Sequence, residues 1–179
     1  MISVRRIQID EGELFKRMRL TALRESPFAF ASTYKAALRR SPESWSEQAT
    51  STAQGSNRCT FIAFSDDSPI GIAALYRTEE ESDMGELLQM WVSPEHRGMG
   101  VACNLMDAIF QWASANGFRT AVTTIGKGNV RAQKFYQKYG FRPKSEAFLD
   151  GPDNLVVLVK VIDVEEAYAP DVLSRTGEA

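Results

Sequence analysis

The chain has 179 residues, 44% of them hydrophobic and 25% charged, a composition that fits one globular domain with a sizeable core. A formal net charge of −2 and a pI of about 5.6 supply no global field toward nucleic acid or an anionic membrane, and no apolar run approaches the ~18 residues of a membrane helix. Cys59 and Cys103 lie far apart and His96 stands alone, which argues against a disulfide framework, a zinc site or any resident metal, and two free thiols suit a cytoplasmic location.

Met1–Ile7 carries charge but no apolar stretch follows it, so it does not read as a signal peptide. Residues Val4–Ile9 alternate imperfectly and predict a first strand. Asp10 followed by Glu13 matches a capping box, and Leu14, Met18, Thr21 and Ala22 then fall on one helix face that Pro27 ends. Ser32–Arg40 is a second helical region. Ser41-Pro42 sets an N-cap before a first-turn proline and starts a short helix through Trp45 and Ala49. Thr50–Asn57, rich in Ser, Thr, Gly and Asn, predicts a loop.

A meander follows, with strands at Cys59–Phe64, Ile70–Tyr76 and Gly85–Val92, a turn at Ser65–Ser68 and an acidic loop at Thr78–Asp83. A helix is expected over Met99–Ala115, with Val101, Leu105, Ile109 and Trp112 on one face and Gly117 as its cap. Thr120–Ile125 predicts a buried strand, broken at Gly126-Lys127-Gly128. Asn129 caps a further helix whose face holds Ala132, Phe135, Tyr136 and Tyr139. Phe141–Ala147 and Leu155–Val161 predict a terminal strand pair around the turn at 150–154. Residues 1–165 are therefore expected to form one mixed α/β domain, with 166–179 a small, polar, flexible tail.

Between strand and helix lies Ser93-Pro94-Glu95-His96-Arg97-Gly98-Met99-Gly100-Val101-Ala102. Strand, Gly-rich turn and helix in that order aim several backbone N–H groups at one point, where the helix end adds partial positive charge. The turn is thus suited to an anion such as a pyrophosphate. A nucleotide P-loop needs G-x-x-x-x-G-K-S/T, and no such Lys follows. A dinucleotide fingerprint needs a third glycine after the first strand of a βαβ unit, and both are missing. A plain tight turn, with glycines for positive φ, stays open on the residues alone.

Arg97-Gly98-Met99-Gly100-Val101-Ala102 resembles the Q/R-x-x-G-x-G/A signature of the GNAT superfamily of acyl-CoA-dependent N-acyltransferases. A second segment, Asn129-Val130-Arg131-Ala132-Gln133-Lys134-Phe135-Tyr136 with Tyr139-Gly140-Phe141, looks like the family's N-x-x-A-x-x-F-Y…G-F motif. The two stand about thirty residues apart with a strand between them, and the resemblance covers about Phe61–Val161. It implies a mostly antiparallel mixed sheet, splayed between its fourth and fifth strands and flanked by helices. It also implies acetyl-CoA as co-substrate and a small-molecule or peptide amine as acceptor. Neither nucleic acid nor a membrane is expected as a partner, and a homodimer stays open.

Under that resemblance the N–H groups of Arg97, Gly98, Met99, Gly100, Val101 and Ala102 would cradle the pyrophosphate. Pantetheine would pair with backbone near Met90, Trp91 and Val92, where a backbone N–H would polarise the acetyl carbonyl. Asn129 would cap its helix and also bind the cofactor. Tyr136 sits where the family places the general acid for the departing thiolate; otherwise it is one more core aromatic. Glu86 matches the place of a general base in some members, or is a solvated strand-edge acid. Gln89 could only orient a water.

A lysine-like amine has a pKa of about 10.4, so reaching its neutral form at pH 7 costs roughly 4–5 kcal/mol, and a carboxylate or a water must take that proton. Residues Glu79, Glu80, Glu81 and Asp83 could attract such a cation or simply form a solvated loop. His96 is expected to be an exposed turn residue and Cys103 a buried small apolar one. The implied reaction is direct attack by the amine in a ternary complex. A non-catalytic acyl-CoA-sensing module is the rival from another class, and a protein or peptide N-terminus competes with a small amine as acceptor.

Overall fold

The central strands are apolar at nearly every position: residues 59–64 and 70–75 are all buried. Strands of that kind need a sheet covered on both faces. The computed structural model, which describes residues 1–78, 83–144 and 154–163, supplies that cover. In chain order the elements are β1 (Ile2–Arg6), α1 (Gly12–Glu25), α2 (Tyr34–Leu38), α3 (Pro42–Ala53), β2 (Arg58–Ser65), β3 (Ser68–Arg77) and β4 (Met84–Val92). Then come α4 (Val101–Ala115), β5 (Thr120–Gly126), α5 (Val130–Lys138), β6 (Arg142–Pro143) and β7 (Leu155–Val161). Short 3-10 turns occupy Pro27–Ala29 and Pro94–His96.

The sheet runs β1-β2-β3-β4-β5-β7-β6 and is antiparallel except for the β4–β5 pair. Ile62, Phe64 and Ile72 face α1 and α3, packing with Phe15, Met18, Leu23 and Trp45. Phe61, Ala73 and Leu75 face the other way, toward Leu105, Met106 and Ile109 of α4 and toward Phe118 and Phe141. The Phe15 and Trp45 rings meet edge to face with centroids 5.6 Å apart, a favoured aromatic geometry.

β4 and β5 share only three registered pairs, Met84↔Thr120, Gly85↔Ala121 and Glu86↔Val122, and then part. At this root a Cβ on Gly85 would sit 2.9 Å from both Leu75 and Phe118, so glycine lets those side chains close over the strand. β5 meanwhile pairs with β7 along its whole length, from Thr120↔Val161 to Gly126↔Leu155. The expected splay between the fourth and fifth strands is present.

Several local expectations are corrected. The first strand ends at Arg6 rather than Ile9, because Ile7 turns into the core between α1 and the sheet while its N–H bonds Thr60 O at 2.9 Å. The Asp10–Glu13 capping box is not formed. Glu11 flanks α1 without a side-chain cap, and its carboxylate instead takes a bidentate bond from Arg5 (2.6 and 2.8 Å) plus the Gln8 N–H. A charge-assisted fork is the stronger partner, and it holds the Glu11 carboxyl below its ordinary range. Gly12, Phe15, Met18, Arg19, Ala22 and Leu23, not Leu14 and Thr21, are the buried positions of α1.

Ser41 does cap α3, accepting from Ser44 N–H, but the helix continues through Thr50 to Ala53, where a loop was expected, because Thr52 is buried and bonds back to Gln48 O. α4 begins at Val101, two residues later than expected, since Met99 and Gly100 belong to the turn. Trp112 is only half-buried at the flank, between the Phe118 ring and the Arg6 guanidinium. Cys103 is exposed, because it lies on the solvent side of the first turn of α4, whereas Cys59 is buried. The acidic residues 79–82, the segment 145–153 and the tail at 166–179 lie outside the described residues.

Candidate active site

The site is built where β4 leaves β5. Between the pairs Ile72↔Trp91 and Ala74↔Leu88, one β3 residue faces two on β4, Gln89 and Met90. Gln89 takes up the extra residue in a left-handed conformation, φ 61°, which costs a non-glycine residue about 1–2 kcal/mol. The bulge also reverses side-chain alternation. Leu87 packs toward α4 before it; after it Val92 packs toward α4 and Trp91 toward α1 and α3. Beyond Glu86 no described strand pairs with the β5-facing edge of β4, so the backbone near Met90, Trp91 and Val92 borders an open split.

Just past β4 the Gly-rich turn closes. The Arg97 N–H is spent inside the turn, donating to Pro94 O at 3.3 Å, and helical bonding starts only with Asn104 N–H to Gly100 O at 3.0 Å. Between them the N–H groups of Gly98, Met99, Gly100, Val101 and Ala102 have no acceptor among the described residues. Gly98 and Gly100 adopt φ values of 80° and 82°, and a Cβ at either would meet nothing within 4 Å. The result is a concave row of donors at a helix N-terminus with clear space in front of it, a fit for a phosphate group.

Arg97 holds this turn by its side chain. Its Nε donates to Val92 O at 2.9 Å and its Nη2 to Glu25 Oε2 at 2.6 Å. The same Glu25 oxygen accepts from Trp91 Nε1 at 2.9 Å and from the Ser26 hydroxyl. Burial pushes the Glu25 carboxyl up, but the bonds from Arg97, Ser26 and Trp91, with the charge of Arg97, outweigh it and bring the group down to about 2. The end of α1, the end of β4 and the cradle are thus pinned at one carboxylate. His96 is half-buried and shares a 2.8 Å bond with the Ser93 hydroxyl.

On the α4 side of the split, Thr123 is the first β5 residue beyond the last parallel pair. Its hydroxyl donates to Leu87 O at 3.1 Å, bridging the strands where backbone pairing stops. The Tyr136 hydroxyl interacts with Thr123. Tyr136 is buried, with Phe135 and Phe141 edge-on at 5.3 and 5.4 Å. Burial pushes its phenol up to about 12, against a smaller downward pull from Thr123, so it carries its proton at neutral pH. Asn129 caps α5, its Oδ1 accepting from Ala132 N–H at 3.1 Å, and its amide nitrogen has no acceptor among the described residues.

The opposite face carries a separate polar group. Glu86 is exposed and points away from Gly85 and Leu87, on the same face as its cross-strand partner Tyr76. The Tyr76 hydroxyl accepts from Gln48 Nε2 at 2.7 Å and lies 3.5 Å from Gln89 Nε2. Glu86 and Tyr136 therefore flank the root of the split from opposite faces of the sheet.

The sequence model of the Acetyltransferase (GNAT) family matches residues 22–141, two thirds of the chain. The chain belongs to the GNAT acetyltransferase family. Human N-acetylaspartate synthetase is 33% identical over 84 residues, which is 47% of this chain and 28% of that protein. An uncharacterized N-acetyltransferase of Archaeoglobus fulgidus is 32% identical over 63 residues, 35% of this chain and 43% of that one. The chain thus spans less than half the length of these curated relatives. Among solved structures, a GNAT-family acetyltransferase from Streptococcus pneumoniae superposes with a TM-score of 0.76 at 19% identity, over 91% of this chain and 100% of that one. A ribosomal protein α-N-acetyltransferase in complex with coenzyme A does so with a TM-score of 0.71 at 12% identity, over 92% and 96%.

Within this GNAT fold the residues singled out from the sequence converge on one split, with Met90, Trp91 and Val92 on its edge, Gly98–Ala102 at its mouth, Asn129 at the start of α5, and Tyr136 and Glu86 at its root. Arg97 differs in kind: it buttresses the turn instead of lending its N–H. Glu25, Thr123 and Tyr76 were not anticipated. None stands in a motif, and each joins the site through contacts between distant segments.

Proposed function

We propose that the chain is an N-acetyltransferase that moves an acetyl group from acetyl-CoA to a primary amine by direct attack in a ternary complex. The observation that carries this reading is the convergence of a free donor row and a buried, protonated phenol on the same split between β4 and β5. The N–H groups of Gly98–Ala102 hold the pyrophosphate, kept in place by the Arg97–Glu25 link. The unpaired edge at Met90, Trp91 and Val92 takes the pantetheine arm and polarises the acetyl carbonyl, and the free amide of Asn129 adds a contact. Bound acetyl-CoA supplies the activated acyl group.

Glu86, directly or through a water, accepts the proton that makes the amine nucleophilic; Tyr136 Oη gives its proton to the departing sulfur. Their positions on opposite faces of the sheet support a path in which the amine arrives on the α1–α3 side and the thiol leaves on the α4–α5 side. The test is thiol release from acetyl-CoA over a panel of primary amines, run beside a titration of acetyl-CoA binding. Amine-dependent release is expected. Tight binding with no release over the whole panel would overturn the transfer reading and leave a non-catalytic acyl-CoA-sensing module.

A further inference from the structure

We propose that the acceptor is a small primary amine that also bears a carboxylate, and that Arg19 holds that carboxylate on the α1–α3 face. The proposal rests on the transfer reading and names its acceptor class. Arg19 is only 6% exposed, and its Nη1 is buried without a hydrogen-bond partner among the described residues. The guanidinium lies 4.9 Å from the Phe30 ring, and no carboxylate among the described residues pairs with it. A buried guanidinium is normally paired, and its planar fork matches a carboxylate with two parallel bonds.

The surroundings add positive charge. The Arg40 guanidinium lies near enough to repel that of Arg19, and is itself stacked 3.7 Å over the Trp45 ring and, among the described residues, hydrogen-bonded to the Ser44 hydroxyl and carbonyl. Burial pulls Arg19 down to about 10; Tyr76 acts in the opposite direction and Arg40 adds a smaller downward pull, so Arg19 remains charged at neutral pH. Two cations share this corner, and among the described residues neither is in an ion pair.

A second orphan complements the first. Gln89 Oε1 is buried without a donor among the described residues, although its Nε2 reaches toward the Tyr76 hydroxyl at 3.5 Å. Gln89 sits in the β4 bulge, on the split itself, with Glu86 three residues before it. The face thus has an unused acceptor beside the reaction centre and an unused cationic donor farther out, around Tyr76. One molecule satisfies both: an amine N–H toward Gln89 and Glu86, and a carboxylate on Arg19. An uncharged alkylamine would leave Arg19 unpaired.

The experiment compares amine acids with partners lacking only the charge: L-amino acids against their carboxamides, and γ-aminobutyrate against butylamine. At least tenfold higher kcat/KM is expected for the acids. In Arg19→Met the ratio of acid to amide should fall to near one, and in Arg19→Lys to an intermediate value; acetyl-CoA affinity, measured separately, shows that each variant is folded. A merely structural Arg19 would slow acid and amide alike and leave the ratio intact, which overturns the proposal. Preference for the amides, or for peptides with blocked carboxyl groups, also overturns it. Absence of thiol release with every amine sinks the transfer reading instead. Calorimetric binding of acid and amide to the coenzyme A-saturated protein then still decides: acid-selective, Arg19-dependent binding supports the anchor, and equal binding refutes it.

Discussion

Replacing Tyr136 with Phe separates the catalytic role proposed for this side chain from its packing. The ring contacts at 5.3 and 5.4 Å survive the change, and Thr123 keeps its bond to Leu87 O. Only the hydroxyl and its interaction with Thr123 are lost, a stability cost of about 0.5–1.5 kcal/mol. For a chain of this size about 1 kcal/mol lowers Tm by roughly 2–4 °C. A positioned general acid contributes about 10²–10⁴-fold, which at about 1.36 kcal/mol per decade is roughly 2.7–5.4 kcal/mol of barrier.

The two effects therefore differ enough to be told apart. The expected result is kcat down at least a hundredfold, acetyl-CoA Kd within about twofold, and Tm down by only a few degrees. Single-turnover thiol release, a binding titration and a thermal melt measure the three. A kcat within about threefold of the parent would remove Tyr136 from the mechanism. The phenol, pushed up to about 12 by burial, should hold its proton from pH 6 to 10, so a basic limb near pH 8 would have to come from another group. Since folding favours the neutral phenol, this contribution to stability is complete below the unfolded value of 10 and fades as pH rises toward 12.

Gly100→Val should weaken acetyl-CoA binding at least tenfold, because a β-branched residue strains at φ 82° and projects into the space before the donor row; an unchanged Kd would refute the cradle. Glu25→Gln removes the charge that pins Arg97, and acetyl-CoA Kd is expected to rise roughly threefold to tenfold, in proportion to one charge-assisted bond. Its acid behaviour is a further check. The depressed Glu25 carboxyl stabilises the fold above its ordinary value of 4.5 and loses that contribution as pH falls toward 2. Thermal melts of the parent should therefore fall more steeply over that interval than those of the variant, and parallel curves would contradict the assignment.

Local chemistry was enough to read most elements and the family. Apolar runs in β2 and β3, the Ser41 and Asn129 caps, and the paired glycines before α4 act through neighbours a few residues away, and such signals are written along the chain. The two motifs around Arg97–Ala102 and Asn129–Phe141 likewise name the family, because each is a short run of neighbouring residues. The errors arose where distant partners won. Glu11 left the helix end for Arg5, and Thr52 carried α3 past its expected stop.

Tertiary structure alone decided the rest. The split exists because β5 commits to β7 for its full length while sharing three pairs with β4, a competition between strands far apart in sequence. The bulge at Gln89 reverses which side chains face α1, and so sets which groups line that side of the split. The Glu25 junction and the orphaned guanidinium of Arg19 arise only once α1 is laid on the sheet, because burial and pairing belong to the assembled fold and to no segment of the chain by itself.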